Sequence, residues 1–202
     1  MVGEVGRIYS PSLLGTALRQ GEILSNLIQL CVDLDSLESD DSYLFNKIAH
    51  PLVIIVSQDC DLEQDSKSRL ARESHVELTK SQKDKLIPSI LFCDVFPASD
   101  LAKQIDNSKI WGRININKDE RYHYFQKIES SEDATQEGFG PLGVDFKKYF
   151  SIPSDEVHKR LAMNELKRHC TLLSPYLEHF STRYSYYQFR VALPEEHIVD
   201  VV

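Results

Sequence analysis

Apolar positions in this chain fall in short dense runs more often than in helical stripes, a pattern that predicts a strand-rich domain. The densest run is Leu52-Val53-Ile54-Ile55-Val56, with five large apolar residues in a row and four of them β-branched. Such a run predicts a strand buried on both faces. Further strands are expected at 23–32 and 90–96, at 75–78 where His75-Val76-Glu77-Leu78 alternates, and at 166–172. Residues 113–125 read as a hairpin: Ile114-Asn115-Ile116 alternates, Asn117 to Glu120 turns, and Tyr122 to Phe125 returns. Val144 to Lys147 suggests a short strand and Phe150 to Pro153 a turn.

Helical signals are fewer. Residues 99–106 suit a short helix, and Ser154 is placed to cap another, with Asp155 and Glu156 in its first turn. The strongest signal is Ser174-Pro175 followed by Leu177, Phe180, Tyr184, Tyr187 and Val191 at steps of three and four, which predicts a helix over 175–192. Two stretches carry too little apolar content for an element: 63–74 reads as a mobile polar excursion and 129–140 as an exposed loop. The pattern predicts an α+β fold, either a strongly bent antiparallel sheet or a small SH3-like β-barrel, with a capping C-terminal helix. It reads as a single domain over 1–202, with a β-rich core at about 20–128 and an α/β cap at about 144–194.

Composition narrows the class. Hydrophobic residues make up 42% and charged residues 27%, the balance of a chain that folds. No apolar run approaches the roughly 20 residues of a membrane span, and Met1-Val2-Gly3-Glu4-Val5 does not read as a signal peptide. A cytoplasmic location is therefore expected. The four cysteines, Cys31, Cys60, Cys93 and Cys170, are far apart and form no CxxC pair, so free thiols are expected. Net charge is −8, and residues 1–146 hold 24 acidic residues against 15 basic ones. Such a chain attracts phosphate backbones only through a local basic face.

The buried run ends abruptly in Ser57-Gln58-Asp59-Cys60-Asp61, the most conspicuous polar cluster of the sequence. If the chain stays extended there, Asp59, Asp61 and Glu63 form a row of carboxylates able to hold Mg²⁺ or Mn²⁺. The ordinary alternative is a strand end whose loose backbone groups are satisfied by Ser, Gln and Asp side chains. Zinc held by Cys60 and Cys93 with His75, His169 or Cys170 has suitable donors but no short-spaced pair. Cys60 as a nucleophile is opposed by its two carboxylate neighbours, which repel the anion that such chemistry needs. A second candidate surface is Tyr176, His179, Arg183, Tyr186 and Arg190, a further face of the last helix, which suits a phosphate or an acidic partner. Arg121 and Tyr122 are similar candidates. The competing account of that face is internal packing, with its arginines paired to acids such as Asp145 or Asp94.

Two stretches together, Val56 to Leu62 and Ser174-Pro175-Tyr176-Leu177-Glu178-His179 leading into Arg190-Val191-Ala192-Leu193-Pro194, resemble an uncharacterised group of bacterial proteins of about this size. That group carries an SQ-x-CDL segment and a late SPY-x-EH…RVALP helix, sometimes near genes of phage conflict or mobile elements. Gly21-Glu22-Ile23 and His50-Pro51-Leu52-Val53-Ile54-Ile55 are similar to the opening strands of PemK/MazF-type toxin ribonucleases, although the basic residue before Pro is here His50. That likeness implies a barrel core more than it implies RNA cleavage. The leading expectation is a non-enzymatic binding module of a bacterial conflict or mobile-element system, with no cofactor. It would engage a protein encoded beside it, or a nucleic acid, through Ser57, Gln58, Cys60, Arg121, Tyr176, His179, Arg183 and Arg190. The alternative is a metal-dependent phosphodiesterase or nuclease built on Asp59 and Asp61, and a third reading is a ribonuclease using His50.

Overall fold

The computed structural model describes residues 6–33, 44–74 and 77–189. Its centre is a seven-stranded antiparallel sheet. The strands are β1 (Tyr9–Pro11), β2 (Glu22–Val32), β3 (Phe45–Ile55), β4 (Ser89–Pro97), β5 (Tyr122–Phe125), β6 (Leu142–Pro153) and β7 (Lys167–Leu172). They lie in the order β1-β7-β2-β3-β4-β6-β5, so β3 is the middle strand. Helices α1 (Asp59–Glu73), α2 (Lys80–Lys83), α3 (Ala98–Ile105), α4 (Ser108–Ile114), α5 (Ser154–Ala162) and α6 (Tyr176–Gln188) complete the fold. Among the described residues no helix is long and apolar enough to cross a membrane.

The two-sided burial predicted for the aliphatic run is what the structure shows. Val53 and Ile55 join one cluster with Leu24, Phe92, Ile152, Leu62 of α1 and Val157 of α5. Ile54 and Val56 join the opposite one with Cys93, Phe125, Val144, Phe146, Cys170 and Phe180 of α6. Side chains alternate between two cores because successive residues of a strand point to opposite faces. The helix expected at the C-terminal end thus fills the inner face, and α1 and α5 cover the outer one.

The sheet is strongly bent but is not a closed barrel. Register shifts between Ile23 and Leu24 and between Cys93 and Val95 mark bulges, which bend and twist strands. The curl brings the two edges near each other, and Tyr9 Oη donates to Gln126 O, just past β5, at 2.9 Å. β1 and β5 form no ladder with one another, so the SH3-like closure expected from the toxin resemblance is absent. β2 and β3 continue past their other neighbours as a two-stranded ribbon that exposes Leu30, Val32, Phe45 and Ile48.

Several expectations about elements are corrected. Residues 63–74 are not a mobile excursion but most of α1. Its inward face is polar, with Asp65, Ser68 and Arg69 buried, so apolar periodicity could not reveal it. Asp65 accepts from Arg69 Nε at 2.7 Å and from Ile87 N at 3.0 Å, and lies 3.2 Å from His158 Nε2. The first strand of the 113–125 hairpin does not form: Arg113 and Ile114 end helix α4, whose N-cap Asn107 accepts from Lys109 N and Ile110 N, and 115–117 form a turn. β5 pairs with β6 instead, Tyr122 opposite Asp145 and Phe125 opposite Leu142. The strand expected at 75–78 does not form at Glu77 and Leu78, which lead into the capping box of Thr79 and Gln82; His75 and Val76 lie outside the described residues. Residues 142–153 form one long strand rather than a short strand and a turn. In α6 the cap falls on Pro175, after a cis Ser174–Pro175 bond, rather than on Ser174.

Phe180 is fully buried against His123, Phe125 and Phe146, so Phe180→Ala should lower stability by about 3–5 kcal/mol, read from urea unfolding. The Asp65 network predicts acid sensitivity. Burial pushes the Asp65 carboxyl up, but the bonds from His158, Arg69 and Ile87 N outweigh it and hold the group below its ordinary value. A carboxyl lowered on folding contributes its full stability above the unfolded value, about pH 4. That contribution is lost as pH falls through the folded value. The urea midpoint should therefore decline below about pH 4, and Asp65→Asn should decline less steeply.

Candidate functional site

The polar cluster sits where β3 gives way to α1. Val56 N donates to Leu91 O, and Leu91 N donates to Ser57 Oγ at 2.8 Å, carrying the β3–β4 pairing past the strand's end. Gln20 Nε2 donates to Val56 O at 3.1 Å. The chain then enters α1 at once, with Gln58 in extended conformation as its N-cap. Asp59 and Asp61 occupy the first turn, where the positive end of a helix favours carboxylates.

Asp59 is a structural tie. Its Oδ1 accepts from Arg19 Nε at 2.7 Å and from Gln20 N at 3.0 Å, and its Oδ2 accepts from Arg19 Nη2 at 2.5 Å. The predicted row of carboxylates does not form, because residues two apart on a helix diverge by about 200° instead of aligning. Glu63 pairs with Lys67 at 2.6 Å and lines a different cavity, beside Ser10, Ser12 and Arg168. Among the described residues no three His, Cys, Asp or Glu side chains are grouped to hold a metal ion. The zinc donors are likewise dispersed. Cys93 and Cys170 are buried in the inner core, and burial pushes both thiols up. Cys60 is exposed, and His75 lies outside the described residues.

What the geometry does bring together is a groove of about 600 Å³ between the start of α1 and α6. Ser57 to Asp61 form one wall, Ile87, Pro88, Ser89 and Leu91 the floor, and Ser181, Tyr184 and Ser185 the other wall. Burial pushes the Tyr184 phenol up, so it stands in the groove as a neutral hydroxyl. Cys60 Sγ lies 3.7 Å from both Gln58 Oε1 and Asp61 Oδ1. Asp61 is exposed and pairs with no cation among the described residues, and no Lys or Arg lines the groove. The wall contributed by Ser181, Tyr184 and Ser185 was missed in the sequence, where the two serines looked like spacers and Tyr184 belonged to the apolar stripe of the helix.

The second predicted surface is used internally. Arg183 donates to the backbone carbonyls of Asn117, Asp119 and Tyr122, clamping the loop that leads into β5. Arg121 forms a two-bond pair with the buried Asp145, at 2.7 and 2.5 Å. Tyr176 packs on the inner core, and His179 lies 5.4 Å from the buried His123 ring. Burial and the nearby Arg183 push both imidazoles down. Arg190 lies outside the described residues. His50, the base required by the ribonuclease reading, is buried, stacked on Phe150 at 3.9 Å and 2.6 Å from Asp94.

Comparison with known protein families, with curated proteins and with solved structures finds no match.

The Arg19–Asp59 tie gives a direct expectation. Asp59→Ala should cost about 1–2 kcal/mol, and Arg19→Ala added to it should cost little more, because one interaction is being removed twice. Urea unfolding of the four proteins of that cycle measures it.

Proposed function

We propose that the chain is a protein-binding module that takes an extended, donor-rich segment of its partner into the groove between α1 and α6. The observation that carries this reading is the chemistry of the lining. Serine hydroxyls, the Gln58 amide, the Tyr184 hydroxyl and the Asp61 carboxylate surround an apolar floor, with no basic side chain among the described residues that line it. Such walls welcome ammonium, guanidinium and amide donors and repel phosphate. A nucleic acid would need the basic side chains expected on α6, and Arg183 and Arg121 are committed to internal partners. The exposed apolar side chains of the β2–β3 ribbon also suit a protein partner. The resemblance to bacterial conflict proteins supplies the setting, with the partner encoded beside this chain.

Titration of labelled peptides tests the reading. Extended Lys- or Arg-bearing peptides should bind, and phosphorylated peptides and single-stranded RNA should not. Asp61→Asn, which keeps shape and removes charge, should weaken binding about tenfold, or 1.4 kcal/mol. Ser185→Trp, placed at an exposed position on the groove wall, should abolish it. Equal binding by RNA, or peptide binding indifferent to both substitutions, overturns the proposal.

A further inference from the structure

Away from the groove, three side chains distant in sequence meet in a hydrogen-bonded line. His169 on β7 has Nε2 2.8 Å from Ser25 Oγ on the adjacent β2, and Nδ1 3.0 Å from Asp133 Oδ1. The Asp133 carboxylate can only accept, so Nδ1 carries a proton, and in the neutral form of the ring Nε2 presents its lone pair to the Ser25 hydroxyl. That is the relation of nucleophile, base and orienting acid that acyl transfer requires, and it is recognised by geometry rather than by position in the chain.

The base is held firmly. His169 and Asp133 are each only 2% exposed, while Ser25 is half-buried. Asp133 also accepts from Thr135 N at 2.9 Å, Thr135 Oγ1 at 3.0 Å and Gly138 N at 2.9 Å, so it is fixed from the loop side. Ala134 N donates to His169 O at 2.8 Å, and the Phe139 ring meets the imidazole edge-on at 4.8 Å. Gly138, with φ +67, lets the loop close down, since a Cβ there would lie 2.9 Å from Ile128 O. Burial raises the Asp133 carboxyl, and the donors from Thr135, Gly138 and His169 more than offset that, which keeps it an anion.

Just past Ser25 the sheet loses its β7 neighbour on one side and one ladder bond on the other. β7 begins at Lys167, opposite Ser25, so from Asn26 onward β2 has no β7 neighbour. On the other side Asn26 stands opposite Pro51, which offers no N–H to the ladder. Asn26 itself takes φ 66 in the middle of a strand and is exposed. A left-handed residue inside a strand is costly, and such outliers concentrate at functional sites.

We propose that Ser25 and His169, with Asp133 as the positioning residue, form a site that hydrolyses small carboxylic esters, Asn26 supplying the donor for the oxyanion. Ser25 Oγ adds to the ester carbonyl as its proton passes to His169 Nε2. The tetrahedral adduct collapses, the bond to the alkoxy group breaks, and that group takes the proton from His169 and leaves as the alcohol. Water adds to the acyl-Ser25 ester, giving a proton to Nε2. Collapse of the second adduct returns that proton to Ser25 Oγ and releases the acid. No redox partner is needed, and the site does not depend on the groove reading.

The test is labelling of the full chain with a fluorophosphonate probe, with the modified residue located by peptide mass spectrometry, alongside hydrolysis of p-nitrophenyl acetate. Modification at Ser25 is expected, and Ser25→Ala should lose both the label and about 100-fold in hydrolysis while still unfolding in one cooperative transition. Folded wild-type protein that takes no label at Ser25, or hydrolysis unchanged in Ser25→Ala, overturns the proposal.

Discussion

A strand that is apolar on both faces cannot lie at a surface, and Val53 to Val56 impose that condition on everything around them. One layer must cover Val53 and Ile55, and α1 with α5 does so. A second must cover Ile54 and Val56, and α6 does so from inside the curl. The chain changes direction immediately after the strand, so the groove is formed by the same event that begins α1. Its two walls are the start of the outer layer and the exposed edge of the inner one.

The second organising feature is the use of arginine as an internal fastener. Arg168 donates to both oxygens of Glu22, at 2.5 and 3.0 Å, and to the carbonyls of Thr16 and Ala17, with both charged groups buried. Arg19 holds Asp59, Arg69 holds Asp65, Arg121 holds Asp145, and Arg183 holds three carbonyls. A buried pair of this kind offers little net stability over apolar packing, but breaking one is expensive, which favours a single register over its alternatives. The plan commits Arg121, Arg168 and Arg183 to internal partners, and the exposed cations of the described residues, such as Lys80, Lys83, Lys109 and Lys147, are mostly lysines.

Strands β2, β3, β4 and β7 and helices α3 and α6 were legible because each shows dense or periodic burial. α1 was not, since Asp65, Ser68 and Arg69 occupy its buried face and the satisfaction of those groups comes from partners on β4's approach and on α5. α4 was hidden because Ile114-Asn115-Ile116 alternates like a strand, while the Asn107 cap that decides the matter lies seven residues earlier. In the groove, Ser57 to Asp61 could be singled out, but the extended-chain spacing of its acids was mistaken: the helix starts at Asp59 and turns them apart. Ser25 and Asp133 gave no signal, and His169 entered only as a possible zinc donor, as the three sit in a strand, a loop and another strand, up to 144 residues apart.

The pairing of β1 with β7, Tyr9 opposite Leu172, sets an order on assembly. A nascent chain can align β2, β3 and β4 from neighbouring segments. Yet β7 inserts between β1 and β2, and Phe180 fills the inner face, so half of the apolar surface stays open to water until the last fifth of the chain is available. Contacts spanning most of the chain form slowly, because loop closure must come first. Until it does, the inner face of the sheet lacks the strand and the helix that cover it.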